Sequence, residues 1–198
     1  MEKPATSDYP IHDLLRCRWS PRAFSKQKVE PETLKSLFEA ARWAPSSANQ
    51  QPWSFLVATT DDPQEHGRML GCLVEGNQVW ARQAPVLMLS VASKLDRDHD
   101  PNPHAWYDVG QAVTNLTIQA TALGLFVHQM AGILPDRIRE RYRIPDSHEP
   151  VTGLALGYPG NPDQLPDKLR QRELTPRTRK PIAEFVYGGT WGQGTPFM

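Results

Sequence analysis

The sequence predicts an α+β protein, with helices and strands alternating around one central sheet. Three observations carry that reading. Residues 85–93 (PVLMLSVAS) form a continuous apolar run of strand length, as expected of a central strand buried on both faces. Residues 105–123 place Val109, Val113, Leu116, Ala120 and Leu123 at steps of four, three, four and three, the spacing of one helical face. No glycine-rich turn follows the first strand, which argues against a doubly wound nucleotide fold and for a layered arrangement.

The elements follow in order. Residues 10–17 (PIHDLLRC) read as a short amphipathic turn or helix. Pro31 starts a helix, since proline has no N–H to lose at the first helical position. Leu34, Leu37, Phe38 and Ala41 give that helix one apolar face, and Pro45 ends it near Trp43. Residues 53–60 (WSFLVATT) are β-rich in composition and residues 62–74 are helical in pattern. A polar loop, residues 94–104, leads into the long helix, which is the central helix of the fold and is capped by Gly124. Residues 126–130 and 151–157 read as strands, and 135–142 as a short basic helix between them. Residues 159–181 are proline-rich and charged, without periodicity. The tail has an apolar patch at 182–187 and then turns glycine-rich. No repeat or second domain is visible, so residues 1–198 read as a single domain.

Composition narrows the function. The 198 residues carry 22 basic and 22 acidic side chains, so the formal charge is zero. A neutral chain has no broad field for nucleic acid or a membrane surface. The hydrophobic fraction, 39%, is low for a self-sufficient globule of this length. Six tryptophans exceed the needs of a small core and suit an interface or a planar ligand. Cys17 and Cys72 are too few for a disulfide framework. No apolar leader or membrane-length run is present, so the expected location is cytoplasmic.

Two segments carry the chemistry. In Arg18-Trp19-Ser20-Pro21-Arg22, two arginines flank a hydroxyl and can address one anion with paired charge-assisted hydrogen bonds. A second basic cluster, Arg177-Thr178-Arg179-Lys180, lies far along the chain. On spacing alone, these are either two halves of a phosphate site or two solvated charge runs. The loop Pro45-Ser46-Ser47-Ala48-Asn49-Gln50-Gln51-Pro52-Trp53 is long and amide-rich for a plain turn. Its hydroxyls, amides and small side chains suit the edge of a heteroaromatic ring.

Together these segments resemble the FMN-dependent nitroreductase family, whose flavin-binding arm has the form Arg-x-Ser-x-Arg/Lys and whose loop has the form Pro-Ser-Ser-x-Asn-x-Gln-Pro-Trp. The resemblance implies a nitroreductase-like α+β fold. Its mixed, mostly antiparallel central sheet is flanked by helices, and the long central helix lies at a homodimer interface. The tail, residues 160–198, would embrace the partner subunit. Arg18 and Ser20 would hold the ribityl-phosphate arm, with Trp19 between them. Arg22 would face the flavin N1/O2 edge, and Arg177 and Arg179 would clamp the phosphate. Pro45, Ser46, Ser47 and Asn49 would reach the partner's flavin, and Met130-Ala131-Gly132 would approach the N5/O4 edge. At that edge Ala131-Gly132 stands where the family has Glu-Gly, so a carboxylate is missing. Asn77-Gln78 is a further candidate for a polar contact.

The implied activity is FMN-dependent oxidation of NADH or NADPH, with a nitroaromatic, quinone or similar small conjugated acceptor reduced in ping-pong fashion. The cofactor supplies the electron chemistry, so no catalytic side chain and no metal is assigned. The alternatives are a flavin-binding sensor or store without turnover, and a related reductive dehalogenase or flavin-cleaving enzyme.

Other motifs fail on physical grounds. Asp96-x-Asp98-x-Asp100 lacks a calcium loop's glycine at position six, where Pro101 sits, and its glutamate at position twelve, where Tyr107 sits. The glycines at 189–194 have no strand–helix setting for a phosphate loop. His128, on a strand, is either near the pocket or a satisfied core histidine.

Overall fold

The computed structural model describes residues 2–197. Among them a four-stranded sheet has the order β1-β2-β4-β3. Its strands are β1 (Trp53–Thr59), β2 (Val86–Ser93), β3 (Phe126–Met130) and β4 (His148–Gly157). All three pairings are antiparallel, so the α+β expectation holds.

The central strand β2 shows why the apolar run was needed. Every residue from Val86 to Ala92 is buried. Alternate side chains serve opposite layers, as strand geometry requires. Val86, Met88 and Ala92 join a cluster with Leu37 and Ala41 of α2 (Pro31–Arg42) and with Val109, Val113 and Leu116 of α5 (Ala105–Ala122). Leu87 and Leu89 face the other layer. There they meet Met69 of α3 (Pro63–Leu70), Trp80 of α4 (Glu75–Ala81) and Ile138 of α6 (Pro135–Tyr142). The sheet is thus the middle of three layers.

The helix stripe on α5 is as spaced, except that Leu123 is 42% exposed. It is the C-cap residue, and Gly124 follows at φ 74 to close the helix. Two helices were not legible. The helical pattern over 62–74 ends at Leu70, and a separate α4 begins at Glu75. Within the stretch read as aperiodic, residues 167–174 form α7 (Asp167–Leu174). That helix buries only Glu173, so it has no apolar stripe to reveal it. Strand β4 begins three residues before the expected Val151. A short α1 (Asp13–Cys17) precedes the basic arm.

Candidate functional site

The arm after α1 is held extended by its neighbours. Arg18 leaves the helix with φ −60 and ψ 127. The Gly160 N–H donates to Ala23 O at 2.8 Å, and the Ser25 N–H to Tyr158 O at 2.9 Å. A Cβ at Gly160 would come within 2.5 Å of the Phe24 backbone, so only glycine permits this pairing. His128 Nδ1 lies 2.8 Å from Pro21 O, and its ring centre is 4.5 Å from that of Trp80. The Arg22 guanidinium also lies over the Trp80 ring, 6.0 Å from its centre. His128 is therefore a satisfied, half-buried side chain that props the arm. Burial pushes its pKa down to about 4, against the opposing pull of the Pro21 carbonyl.

The two basic clusters of the sequence converge. Arg18, Trp19, Ser20 and Arg22 line one cavity of about 260 Å³ together with Arg177 and Arg179. Lys3, Arg172, Glu173, Thr175 and Pro176 complete the wall. Arg18 donates to Ser20 Oγ at 3.3 Å, as the spacing of the arm allows. Arg177 donates to Lys3 O at 2.7 Å and to Arg16 O at 3.0 Å, tying both ends of the chain to the arm. Burial, and then the repulsion of Arg177 and Arg179, hold the Arg18 guanidinium below its usual range. Burial and Arg179 do the same to Arg177. Of the residues lining this cavity, Glu173 is the single acid. Crowded cations that disfavour one another are a site built for an anion, and forked guanidinium donors match phosphate. The donor set therefore fits the phosphate end of FMN.

The loop at 45–52 is backbone-strained. Ala48, Asn49 and Gln51 all have positive φ, at 47, 54 and 51, without being glycine. Such conformations cost free energy and persist only where the surroundings impose them. Here Asp108, 1% exposed on α5, accepts the Ser47 N–H at 3.0 Å. Ser46 Oγ accepts the Gln51 N–H at 3.0 Å, and Arg97 donates to Asn49 O at 2.5 Å. Ser46 is half-buried while Pro45, Ser47 and Asn49 are exposed. Pro45 lines a groove of about 530 Å³ along α5 with Trp106, Tyr107, Gly110, Gln111 and Gln129 among its walls. The loop and the arm line different cavities of the chain.

At the end of β3, Met130 is 3% exposed and its side chain belongs to the core, whereas Ala131 is exposed. Met130 offers no side chain to a ligand, and its carbonyl accepts the Thr152 hydroxyl at 2.8 Å. Asn77 Nδ2 donates to Gly132 O at 3.1 Å, so the polar contact expected of Asn77 goes to the chain itself. A Cβ at Gly132 would lie 2.6 Å from Asn77 Nδ2 and 2.7 Å from Val74 Cγ2.

Several residues of the site had no reading in the sequence. Lys3 lies in a segment with no pattern. Glu173 sits in a helix of charged residues, where one more acid carries no signal. Asp108 did carry one, because an acid adjoins Val109 within the apolar stripe of α5 and is buried with it.

These features coincide with known proteins. The profile of the nitroreductase family matches residues 15–70 and 63–158, and the chain belongs to that family. A solved oxidoreductase containing FMN superposes with a TM-score of 0.89 at 36% identity, covering 96% of each chain. A nitroreductase family protein from Clostridium difficile 630 does so at 0.70 and 29% identity, over 89% of this chain and 96% of its own. A Streptomyces coelicolor protein with the provisional name NADH dehydrogenase/NAD(P)H nitroreductase is 29% identical over 162 residues. That match covers 71% of this chain and 78% of the relative.

Proposed function

We propose that the protein is an FMN-dependent NAD(P)H oxidoreductase that reduces small conjugated acceptors such as nitroaromatics or quinones. The observation that carries this reading is the convergence of Arg18, Arg22, Arg177 and Arg179, with Lys3, on one cavity whose lining holds a single acid. When bound, FMN supplies the hydride chemistry, with NADH or NADPH and the acceptor using the same face in turn. The chain's own part is to bind and to orient. Arg18, Ser20, Arg177 and Arg179 hold the phosphate end. Arg22, over the Trp80 ring at 6.0 Å, keeps a cation beside the N1/O2 edge, where charge builds on reduction. The backbone at Ala131 and Gly132 meets the N5/O4 edge.

We also infer a homodimer. Trp106 and Tyr107 on α5 are 44% and 71% exposed beside the groove that Pro45 lines. Exposed aromatics around such a groove match an interface. Phe185 and Trp191 of the tail, 52% and 91% exposed, match a segment that packs on a partner. In that assembly Pro45, Ser46, Ser47 and Asn49 contact the partner's flavin. Among the described residues no helix is long and apolar enough to cross a membrane.

Anaerobic titration of FMN-reconstituted protein with NADH and with NADPH tests the activity. Bleaching of the flavin band by either nucleotide supports it. A yellow spectrum that persists with both would move the reading to a flavin-binding sensor or store. Protein that retains no flavin after desalting would remove the reading altogether. Light scattering on the same sample checks the dimer.

A further inference from the structure

A buried carboxylate in a pocket of cations calls for an explanation. Glu173 is 1% exposed, yet it lines the same cavity as Lys3, Arg18, Arg22, Arg172, Arg177 and Arg179. Its Oε1 accepts two backbone donors of the arm, the Arg22 N–H at 2.8 Å and the Ala23 N–H at 3.0 Å. Its Oε2 is buried and has no hydrogen-bond partner. That oxygen lies 4.0 Å from Arg22 Nη1, inside the range of an ion pair but beyond that of a hydrogen bond. The backbone oxygen of the same residue accepts Lys3 Nζ at 2.6 Å. The N-terminal segment, the arm and α7 therefore meet at one residue.

A buried carboxylate with an oxygen left unpaired is unfavourable unless the local potential is strongly positive. The ring of cations provides that potential. The same carboxylate opposes any anion that enters the pocket.

We propose that Glu173 is a positioning and specificity-determining residue, which stands in for the ligand's negative charge. It holds the arm in its binding geometry before a ligand arrives and sets how strongly the pocket prefers a phosphorylated ligand. Its Oε1 fixes the backbone of Arg22 and Ala23. Its net charge offsets part of the repulsion among Lys3, Arg22, Arg172 and their neighbours, and so weakens phosphate binding. This rests on the FMN reading for the identity of the ligand but not for the chemistry of the pocket.

The two roles separate by mutation. Glu173→Gln keeps a carbonyl oxygen for both arm N–H groups and removes the charge. Glu173→Ala removes both. The measurement is affinity of the apoprotein for FMN and for riboflavin, by quenching of flavin fluorescence, over a range of salt. The phosphate-free probe reports arm geometry without the charge effect. For Glu173→Gln the expected result is FMN affinity raised on the order of tenfold at low salt, with riboflavin little changed and the gain shrinking as salt is added. For Glu173→Ala the expected result is weakened riboflavin binding. An unchanged ratio of FMN to riboflavin affinity in Glu173→Gln would overturn the proposal, since a carboxylate that merely packs would leave that ratio alone.

Inorganic pyrophosphate, followed by its effect on thermal unfolding, reads the pocket without any flavin. Wild-type protein that binds pyrophosphate but not FMN would end the flavin reading. Tighter pyrophosphate binding by Glu173→Gln would still support the role of Glu173, and equal binding would end it too.

Discussion

The carboxylate of Asp108 holds the backbone N–H of Ser47 at 3.0 Å, joining the buried face of α5 to a loop with three non-glycine residues at positive φ. An acid on an apolar helix face would ordinarily be a defect, and here its lone pair is spent on a loop amide. The three positive φ angles that follow, at Ala48, Asn49 and Gln51, depend on that anchor and on Arg97.

Asp108→Ala should therefore loosen the loop more than it unfolds the protein. Ser47 is exposed, so water can satisfy its freed N–H, and the expected loss of stability is about 1 kcal/mol. Limited proteolysis should show faster cleavage within 45–52, with the Ser47 amide losing protection in hydrogen exchange. Equal protection in the variant would show that the loop holds its shape without this bond.

Arg18→Ala should weaken FMN far more than riboflavin. The lost interaction is a charge-assisted hydrogen bond of about 1.5–3 kcal/mol, or roughly a tenfold to hundredfold change in affinity. Isothermal titration with both flavins checks this, and parallel losses for the two would place Arg18 away from the phosphate.

His128 sets an acid limit on stability. Its pKa is depressed from 6.5 in the unfolded chain to about 4 in the fold. Between those values the unfolded state binds the proton and the folded state does not, so stability falls as pH drops through this window and is unaffected above it. The full effect is about 3 kcal/mol. His128→Asn keeps an N–H for the Pro21 carbonyl and should flatten the decline between pH 6.5 and 4. Urea unfolding across that range measures it, and an unaltered decline in the variant would assign the acid sensitivity elsewhere.

Gly132→Ala should cost about 1–3 kcal/mol, because the new methyl overlaps both Asn77 Nδ2 and Val74 Cγ2. Thermal unfolding of Gly132→Ala alone and combined with Val74→Ala tests this. Partial rescue in the double variant is expected, and additive losses would mean that the overlap is relieved by other movements.

What was readable in the sequence had a local cause. The run at 85–93 needed both faces covered, and the stripe on α5 needed one, so period and length revealed them. The arm and the loop were recognisable because two arginines about a hydroxyl, and a run of hydroxyls and amides, are concentrated over short spans. The convergence of Arg177 with Arg18 was open on spacing alone, since only the tertiary fold brings them to one cavity. α7 was hidden because it buries a carboxylate where a helix normally buries apolar side chains. Lys3 was hidden because it acts through one backbone carbonyl and two long-range donations, none of which constrains its neighbours in sequence.

The tie between Lys3 and Arg177 has a consequence for biosynthesis. The two lie 174 positions apart, and the cavity they share also needs Glu173. A ribosome adds about 5–20 residues per second. For most of translation, therefore, the early arm is exposed to the cell with half of its cavity wall not yet made. The cavity is complete only once the chain has been made through Arg179. Ribosome-stalled chains ending before Glu173 should retain no flavin, even with the sheet and α5 already complete.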